Sequence, residues 1–327
     1  MAEMMRTSAE LSSHDKMDHV KARLGLRRMS HKVKPGLYVL GDPGPEAKMF
    51  VTGNYTLSFD ALRSALKGMD AYIMVLDTRA INVWCAAGKG TFGTDEVVER
   101  IEKTELAQTV SQRTLILPQL SASGVSAHEV KRRSGFRVEY GPVRAEDIPE
   151  YLRLGKATEE MRQVRFNLKD RLALVPVEIK QYFLYLALII MGMYLIGGYW
   201  PALMVLTVFV TGIVLFPMLL PFIPSRSFSG KGLVLGAVVA VLVSIIPSLL
   251  SSDPNPWWMG FGALENALLM SPWVGYIALN FTGSSTFTSR TGVRKEIFTY
   301  IRVFAALFIT GVALLVAVKL MQAGGMF

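Results

Sequence analysis

AYIMVLD, residues 71–77, is followed after three residues by INVWCAAGKGTFG, residues 81–93. The first segment is a continuous apolar run of the length typical of a buried strand. The second begins where that strand would end, contains several glycines, and holds Cys85, the only cysteine in 327 residues. In open α/β sheets, ligands bind beyond the carboxyl ends of the strands. The two segments therefore predict an α/β domain with a candidate site around Cys85.

Strands and helices are predicted to alternate from about residue 36 to residue 156. Strands are expected at residues 37–40, 48–52, 71–77, 114–118 and 137–140, the first of them short and at an edge. Segments of this length between strands favour right-handed crossover helices and a parallel, Rossmann-like sheet. The loops that would meet at its carboxyl edge are residues 53–56, 78–93, 119–122 and 141–144.

Charge divides the chain into two parts. Residues 1–180 hold 28 of the 35 Lys and Arg residues and 23 of the 26 acidic residues. No charged residue occurs from Gln181 to Ser225, which is long enough for two membrane spans that break at Gly197–Pro201. Three more spans are predicted at Gly232–Ser252, Ala263–Phe281 and Ile297–Val318. The sequence thus predicts a polar lead-in (1–30), an α/β domain (31–156), a basic connector (157–180) and a five-helix, all-α membrane domain (181–327).

The loops between the predicted spans alternate in charge. The connector, the loop with Arg226 and Lys231, and the loop with Arg290, Arg294 and Lys295 are basic. The loops at 197–201 and 252–258 contain no Lys or Arg. The positive-inside rule then predicts a multi-pass protein of the inner membrane, with a cytoplasmic α/β domain and the C-terminus outside. No basic stripe with interleaved aromatic residues indicates nucleic-acid binding.

Several chemistries are open to Cys85. A lone thiol excludes an internal disulfide or a cysteine-rich metal site, and free cysteines are often inert, buried hydrophobes. A nucleophile needs a base, which would have to be His31 or His128. GKGTFG, residues 88–93, matches glycine-rich nucleotide loops only weakly, and no Walker A or kinase motif accompanies it. A nucleotide-binding membrane transporter or sensor, with Glu265 and Arg302 inside spans, stays an alternative.

The local pattern favours a metal ligand. Asn82 is a good N-cap residue, which would place Cys85 in the first turn of a helix, a setting that favours a thiolate. Lys89 lies four residues later on the same face, and Trp84, Ala86 and Ala87 suit contact with a planar ligand. One protein thiolate on a metal otherwise held by a macrocycle is a known arrangement.

These residues carry a resemblance to a known family. NVWCAAGK, residues 82–89, resembles the cap-helix signature of the HgcA family of mercury-methylating corrinoid proteins. Residues 51–60, 117–122 and 135–143 resemble the corrinoid-binding domain shared with the corrinoid iron–sulfur protein of the acetyl-CoA pathway. Residues 280–283 and 292–296 resemble the membrane part of the family.

The resemblance implies a cobalt corrinoid of the cobalamin type over the carboxyl edge of the sheet. Cys85 would be the catalytic residue and the lower axial ligand of cobalt. The other implied cofactor-binding residues are Asn54, Tyr55, Asn82, Val83, Trp84, Ala86, Ala87, Gly88, Lys89, Gln119, Ser121 and Gly141.

The implied activity is transfer of a methyl group from the corrinoid to Hg(II), forming methylmercury. The methyl group would come from a methyltetrahydrofolate-type donor or its transferase. Because one cysteine cannot hold an iron–sulfur cluster, electrons would come from a small ferredoxin-like partner with two such clusters, of the HgcB type. The alternative is a membrane-anchored corrinoid methyl carrier for one-carbon metabolism in the acetyl-CoA pathway.

Overall fold

The computed structural model describes residues 3–27, 29–249, 256–284 and 290–324. It divides into two compact units, Met1–Arg165 and Phe166–Phe327. The first contains a β-sheet and helices, and the second is helical. This agrees with the predicted order of an α/β domain followed by apolar helices.

The N-terminal unit is built on one six-stranded sheet. Its strands are β1 (Met4–Thr7), β2 (Gly36–Leu40), β3 (Lys48–Gly53), β4 (Ala71–Leu76), β5 (Thr114–Leu117) and β6 (Arg137–Tyr140), in the order β1-β2-β4-β3-β5-β6. Its helices are α1 (Ser13–Arg23), α2 (Thr56–Ala65), α3 (Val83–Lys89), α4 (Thr94–Lys103), α5 (Leu106–Thr109), α6 (Ala127–Ser134), α7 (Ile148–Leu154) and α8 (Glu159–Arg162).

Apolar residues on both faces of the sheet form two cores. Alternate residues of a strand point to opposite faces, so in β4 Met74 and Leu76 join one core and Ile73 and Val75 the other. The first core includes residues of α3, α4 and α6, and the second includes residues of α2 and α7. All six residues of β4 are buried, as expected for a central strand covered by helices.

The prediction of a wholly parallel sheet is wrong for one side of it. Strands β3, β4, β5 and β6 are parallel to one another, but β2 pairs antiparallel with β4. The reason is the connection, because residues 41–47 form a short loop where a parallel neighbour would need a crossover helix. β2 is also not an edge strand, since β1 from the polar lead-in pairs beside it.

The C-terminal unit consists of α9 (Leu168–Leu172), α10 (Val175–Gly197), α11 (Tyr199–Val210), α12 (Phe216–Leu219), α13 (Phe228–Leu249), α14 (Pro256–Phe281) and α15 (Arg290–Ala323). A π-helical turn, Thr211–Leu215, joins α11 to α12. Four described stretches are long and apolar enough to cross a membrane: Leu168–Gly197, Tyr199–Leu219, Phe228–Ile246 and Thr291–Ala323.

The predicted span Ala263–Phe281 falls within α14, which is not among these four stretches. Polar residues such as Glu265 and Asn266 lower the hydropathy of this helix. The end of the predicted span Gly232–Ser252 lies outside the described residues, as does most of the loop after it. A fifth span therefore stays a prediction.

Small residues let α13 and α14 pack closely. A Cβ atom on Gly232 would lie 2.6 Å from the Cβ of Ala278, and one on Gly236 would lie 2.8 Å from the Cα of Ser271. Such contacts are the usual way in which apolar helices associate without a hydrophobic driving force.

Candidate functional site

The loops at the carboxyl ends of β3 to β6 contact one another along one edge of the sheet. The side chain of Asn54, after β3, bonds to Thr78, after β4. Gly124, after β5, packs against Ala87 of α3. The Gln119 amide donates to the carbonyl oxygen of Pro142, after β6, at 3.3 Å. The predicted convergence of these loops is confirmed.

The start of the cysteine helix α3 is set by Asn82. Its backbone is extended (φ −61°, ψ 158°), and its Oδ1 accepts the Cys85 amide at 2.9 Å. Asn82 is therefore the N-cap, as predicted, and Cys85 lies at the third position of the helix. The Cys85 side chain is exposed. The inert, buried cysteine considered from composition does not occur here.

The two faces of α3 differ in burial. Trp84, Cys85, Gly88 and Lys89 are exposed, with Trp84 at 41% of its full area. Their spacing places them within one arc of the helix. Val83, Ala86 and Ala87 are buried and pack into the core instead. The expectation that the side chains of Ala86 and Ala87 lie against a planar ligand is thus wrong, because these methyl groups attach α3 to the sheet.

Asn54 fastens the loop that delivers α3. Its Oδ1 accepts the amides of Thr78 and Ala80, both at 3.1 Å, and the Thr78 hydroxyl at 3.0 Å. Its Nδ2 donates to Asp77 Oδ1 at 3.0 Å. Asn54 is 2% exposed. This places it beneath the edge, where it acts on the loop rather than presenting its amide to solvent.

The loop held by Asn54 has a strained backbone. Arg79 and Ala80 both adopt the left-handed conformation, with φ of 57° and 58°. This conformation costs an L-residue about 1–2 kcal/mol and persists only where surrounding contacts enforce it. Gly53 allows the approach, because a Cβ there would lie 2.8 Å from two atoms of the Thr78 side chain. No local pattern in the sequence predicts these contacts of Asn54 with the loop before α3.

The end of α3 is fixed against the loop after β5. Gly90 ends the helix in the left-handed conformation (φ 80°). A Cβ on Gly124 would lie 2.4 Å from the carbonyl oxygen of Phe92 and 3.0 Å from Ala87. Phe92 itself is completely buried. GKGTFG therefore forms a helix end and a packing contact, not a glycine-rich loop directly after a strand.

The remaining predicted site residues lie around this edge. Tyr55 is half-buried and is the N-cap of α2. Ser121 is buried, with its hydroxyl donating to Pro118 O at 2.8 Å, and Gln119 Oε1 accepts from Arg162 at 3.1 Å. Gly141 is buried, and its amide donates to Leu117 O at 2.8 Å.

Neither candidate base is paired with Cys85. The ring of His31 lies between Asp18 and the carbonyl oxygen of Leu26. The ring of His128 contacts the hydroxyl of Ser126. The structure therefore gives no support to a Cys–His nucleophile.

Beside the edge, burial raises the pKa of Tyr140, whose hydroxyl donates to Val125 O at 2.5 Å.

Comparison with known proteins finds similarity to subunits of CO dehydrogenase/acetyl-CoA synthase and acetyl-CoA decarbonylase/synthase complexes. Residues 19–152 match the family described as CO dehydrogenase/acetyl-CoA synthase delta subunit. The acetyl-CoA decarbonylase/synthase complex subunit gamma of Archaeoglobus fulgidus is 32% identical over 123 residues, 37% of this chain and 26% of the relative. The subunit gamma of Methanothermobacter thermautotrophicus is 33% identical over 129 residues, 38% of this chain and 27% of the relative.

The chain thus spans about a quarter of the length of these relatives. The matches support a corrinoid-binding protein and do not single out the HgcA family. The family match, residues 19–152, lies within the N-terminal unit.

The exposed face of α3 fits a corrinoid. It offers a single soft donor, Cys85, beside the exposed indole of Trp84. A Cβ on Gly88 would meet no atom within 4 Å, so the space above it is open. Within the described ranges, no group of three His, Cys, Asp or Glu residues could hold a metal by itself. A macrocycle such as a corrinoid could supply the other ligands of a metal bound by Cys85.

Proposed function

We propose that this chain is a membrane-anchored corrinoid protein that carries and transfers methyl groups. The observation that supports this most is the exposed Cys85 at the capped start of α3, at the carboxyl edge of a sheet matched by acetyl-CoA decarbonylase/synthase subunits. When bound, the corrinoid would supply a cobalt atom that accepts a methyl group and passes it on.

The residues of the chain have distinct parts in this proposal. Cys85 would hold the cofactor by its sulfur atom, and Trp84 and Gly88 would lie beneath it. Asn82 orients the thiol by fixing the first turn of α3. Asn54 acts one step further away, because its bonds to Thr78 and Ala80 fix the loop before α3. Lys89, which is exposed on the same face, can reach polar groups at the rim of the cofactor.

Two acceptors for the methyl group are proposed. The comparisons favour a methyl carrier in one-carbon metabolism of the acetyl-CoA type, since all the reported relatives are subunits of such complexes. The segment 82–89 favours Hg(II), because it resembles the HgcA signature and would present a sulfur ligand that donates electron density to the metal. Such a ligand favours release of the methyl group to a soft electrophile.

The membrane assignment is part of the same proposal. The four long apolar stretches carry exposed apolar side chains, such as Phe183 at 65% and Ile196 at 87%. Surfaces of this kind indicate contact with lipid or protein. With basic loops inside, the N-terminal unit would be cytoplasmic. There it could meet a ferredoxin-like partner with two iron–sulfur clusters and a methyltetrahydrofolate-type donor.

A single-turnover experiment distinguishes the acceptors. The full chain, purified anaerobically in detergent, is expected to contain cobalt and a corrinoid at about one per chain. It would be charged with an isotopically labelled methyl group and offered either a Hg(II)–thiol complex or coenzyme A, CO and an acetyl-CoA synthase. Label in methylmercury supports mercury methylation, and label in acetyl-CoA supports the carrier. Absence of cobalt, with tight nucleotide binding, would refute both.

Gly88 provides a separate test of where the cofactor lies. Gly88→Ala is expected to stabilise α3 by about 0.5–1 kcal/mol, because alanine restricts the unfolded chain. Corrinoid affinity is nevertheless expected to fall about tenfold or more, since a methyl group inserted against a packed partner costs about 1–3 kcal/mol. Corrinoid retention on dialysis measures the effect. Gly192→Ala, in a helix with open space around it, is the matched control and should retain the cofactor normally.

A further inference from the structure

The polar lead-in contains a helix whose amphipathic character is reversed. In most surface helices the apolar side faces the core. In α1 the residues that face the protein are polar, and none of its eleven residues is buried. Its large apolar side chains point outward, with Met17 exposed by 55% and Val20 by 52%.

The inward face of α1 is held by one ion pair and two histidine–aspartate contacts. Asp15 Oδ2 accepts from Arg63 at 2.8 Å, and His19 Nε2 lies 2.7 Å from Asp60 Oδ2. Asp18 Oδ1 lies 2.7 Å from His31 Nδ1. Partial burial raises the pKa of Asp15, but hydrogen bonds from Ser12 and Arg63 outweigh it and leave that pKa below its ordinary value. Both acidic residues of the helix are therefore engaged with the protein.

The outward face combines an apolar stripe with basic flanks. The exposed Met17 and Val20 lie three residues apart on one side of the helix, and the half-buried Leu24 follows four residues later at the C-cap. By the same spacing Lys16 and Arg23 lie on one side of the stripe and Lys21 on the other, all three exposed. Among the described residues no acidic side chain pairs with these three cations. After the helix, two more large apolar side chains are exposed, Leu26 by 41% and Met29 by 60%.

We propose that this face of residues 13–29 docks on an anionic phospholipid surface. Its chemistry is that of an interfacial helix, with apolar side chains between cations whose stems can reach headgroup phosphates. Lys16, Lys21 and Arg23 are exposed, whereas the two acidic residues of α1 are turned inward, so the outward face of the helix is cationic. The proposal rests on the membrane-spanning role given to the C-terminal unit, which would keep α1 near a bilayer and make even weak docking effective.

Two backbone hydrogen bonds connect the lead-in to the candidate functional site, so docking of the lead-in would affect that site. The Val33 amide donates to Asn54 O at 2.9 Å, and the Thr56 amide donates to His31 O at 3.1 Å. The lead-in is therefore fastened to the loop after β3 that also contributes Asn54 to the candidate site. A lead-in fixed on lipid headgroups would set the orientation of the carboxyl edge relative to the membrane surface.

A fluorescent probe on the outward face tests the proposal in the full chain. Val20→Cys in a Cys85→Ala background gives one thiol, which would be labelled with an environment-sensitive dye. The chain would be reconstituted in nanodiscs of phosphatidylcholine alone or with phosphatidylglycerol, each with and without doxyl-labelled lipid. We expect a blue shift and quenching in the anionic discs only. The same dye at His128→Cys, which is exposed on α6, should show neither.

Charge neutralisation provides the matched comparison. Replacing Lys16, Lys21 and Arg23 by glutamine should abolish the shift and the quenching, and high salt should weaken both in the parent chain. The same change at Lys131, Arg132 and Arg133 of α6 should leave both intact. A solvent-exposed probe in every disc would overturn the proposal. So would a shift that appears only with an added acidic protein or with several chains per disc. Failure of the chain to enter discs would instead refute the membrane-spanning role.

Discussion

Cys85→Ala is expected to remove the sulfur ligand from the bound corrinoid and to change its visible spectrum. The full chain should still fold, because the Cys85 side chain is exposed and contributes nothing to the core. Loss of an outer-shell partner alone costs about 10–100-fold in metal affinity or activity, so methyl transfer should fall by more than about 100-fold. Visible absorption and cobalt content of the anaerobically purified variant are the measurements.

Two neighbours serve as comparisons for this variant. Cys85→Ser keeps the size of the side chain but lacks the soft donor, so it should behave like Cys85→Ala. Asn82→Ala keeps the thiol and removes only its N-cap bond, at a cost of about 1 kcal/mol, so the spectrum should show sulfur ligation at lower occupancy. If Cys85→Ala has the parent spectrum and full cofactor content, the ligand assignment is wrong.

Asn54→Leu is expected to have the largest effect on stability around the site. The substitution leaves the buried Ala80 amide without its acceptor and removes one of the two donors to Asp77 Oδ1, which still accepts the Arg79 amide at 3.0 Å. The Thr78 amide keeps a second acceptor, Leu76 O at 3.1 Å. An unsatisfied buried group costs about 1–3 kcal/mol, so the local loss should be about 1–3 kcal/mol. The strained residues Arg79 and Ala80 should then relax.

Hydrogen exchange of the full chain measures this loss directly. Peptides that cover residues 78–93 should exchange markedly faster in Asn54→Leu, while those from β5 and β6 should change little. Corrinoid occupancy should fall with them, although Asn54 is buried and offers no group to the solvent side of the edge. Unchanged protection of residues 78–93 would show that the loop does not depend on Asn54.

The sequence was sufficient to predict features that depend on interactions between residues close together in the chain. The Asn82 cap depends on one side chain and an amide three residues later, so the sequence predicted it correctly. The faces of α3 were predicted less well. Ala86 and Ala87 are small enough for either a ligand or a tightly packed core, and only their burial in the core beside the sheet decides for the core.

Two features of the polar lead-in were not predicted, because they depend on contacts between distant segments of the chain. A polar strand such as β1 has no apolar alternation, and pairing with β2 stabilises it through backbone hydrogen bonds that any sequence can make. The contact of His19 with Asp60, 41 residues apart, also has no signature in sequence. Both features arise only when distant segments meet.

The sequence by itself determined the division into a charged α/β part and an apolar helical part, and the capped helix that carries Cys85. Hydropathy and capping act over a few residues, so they can be read without the fold. The tertiary structure alone decided which side of α3 is exposed, that β2 runs antiparallel to β4, and that Asn54 fixes the loop before the cysteine. These depend on hydrogen bonds and packing between residues far apart in the chain, and the exposed thiol at the sheet edge is their result.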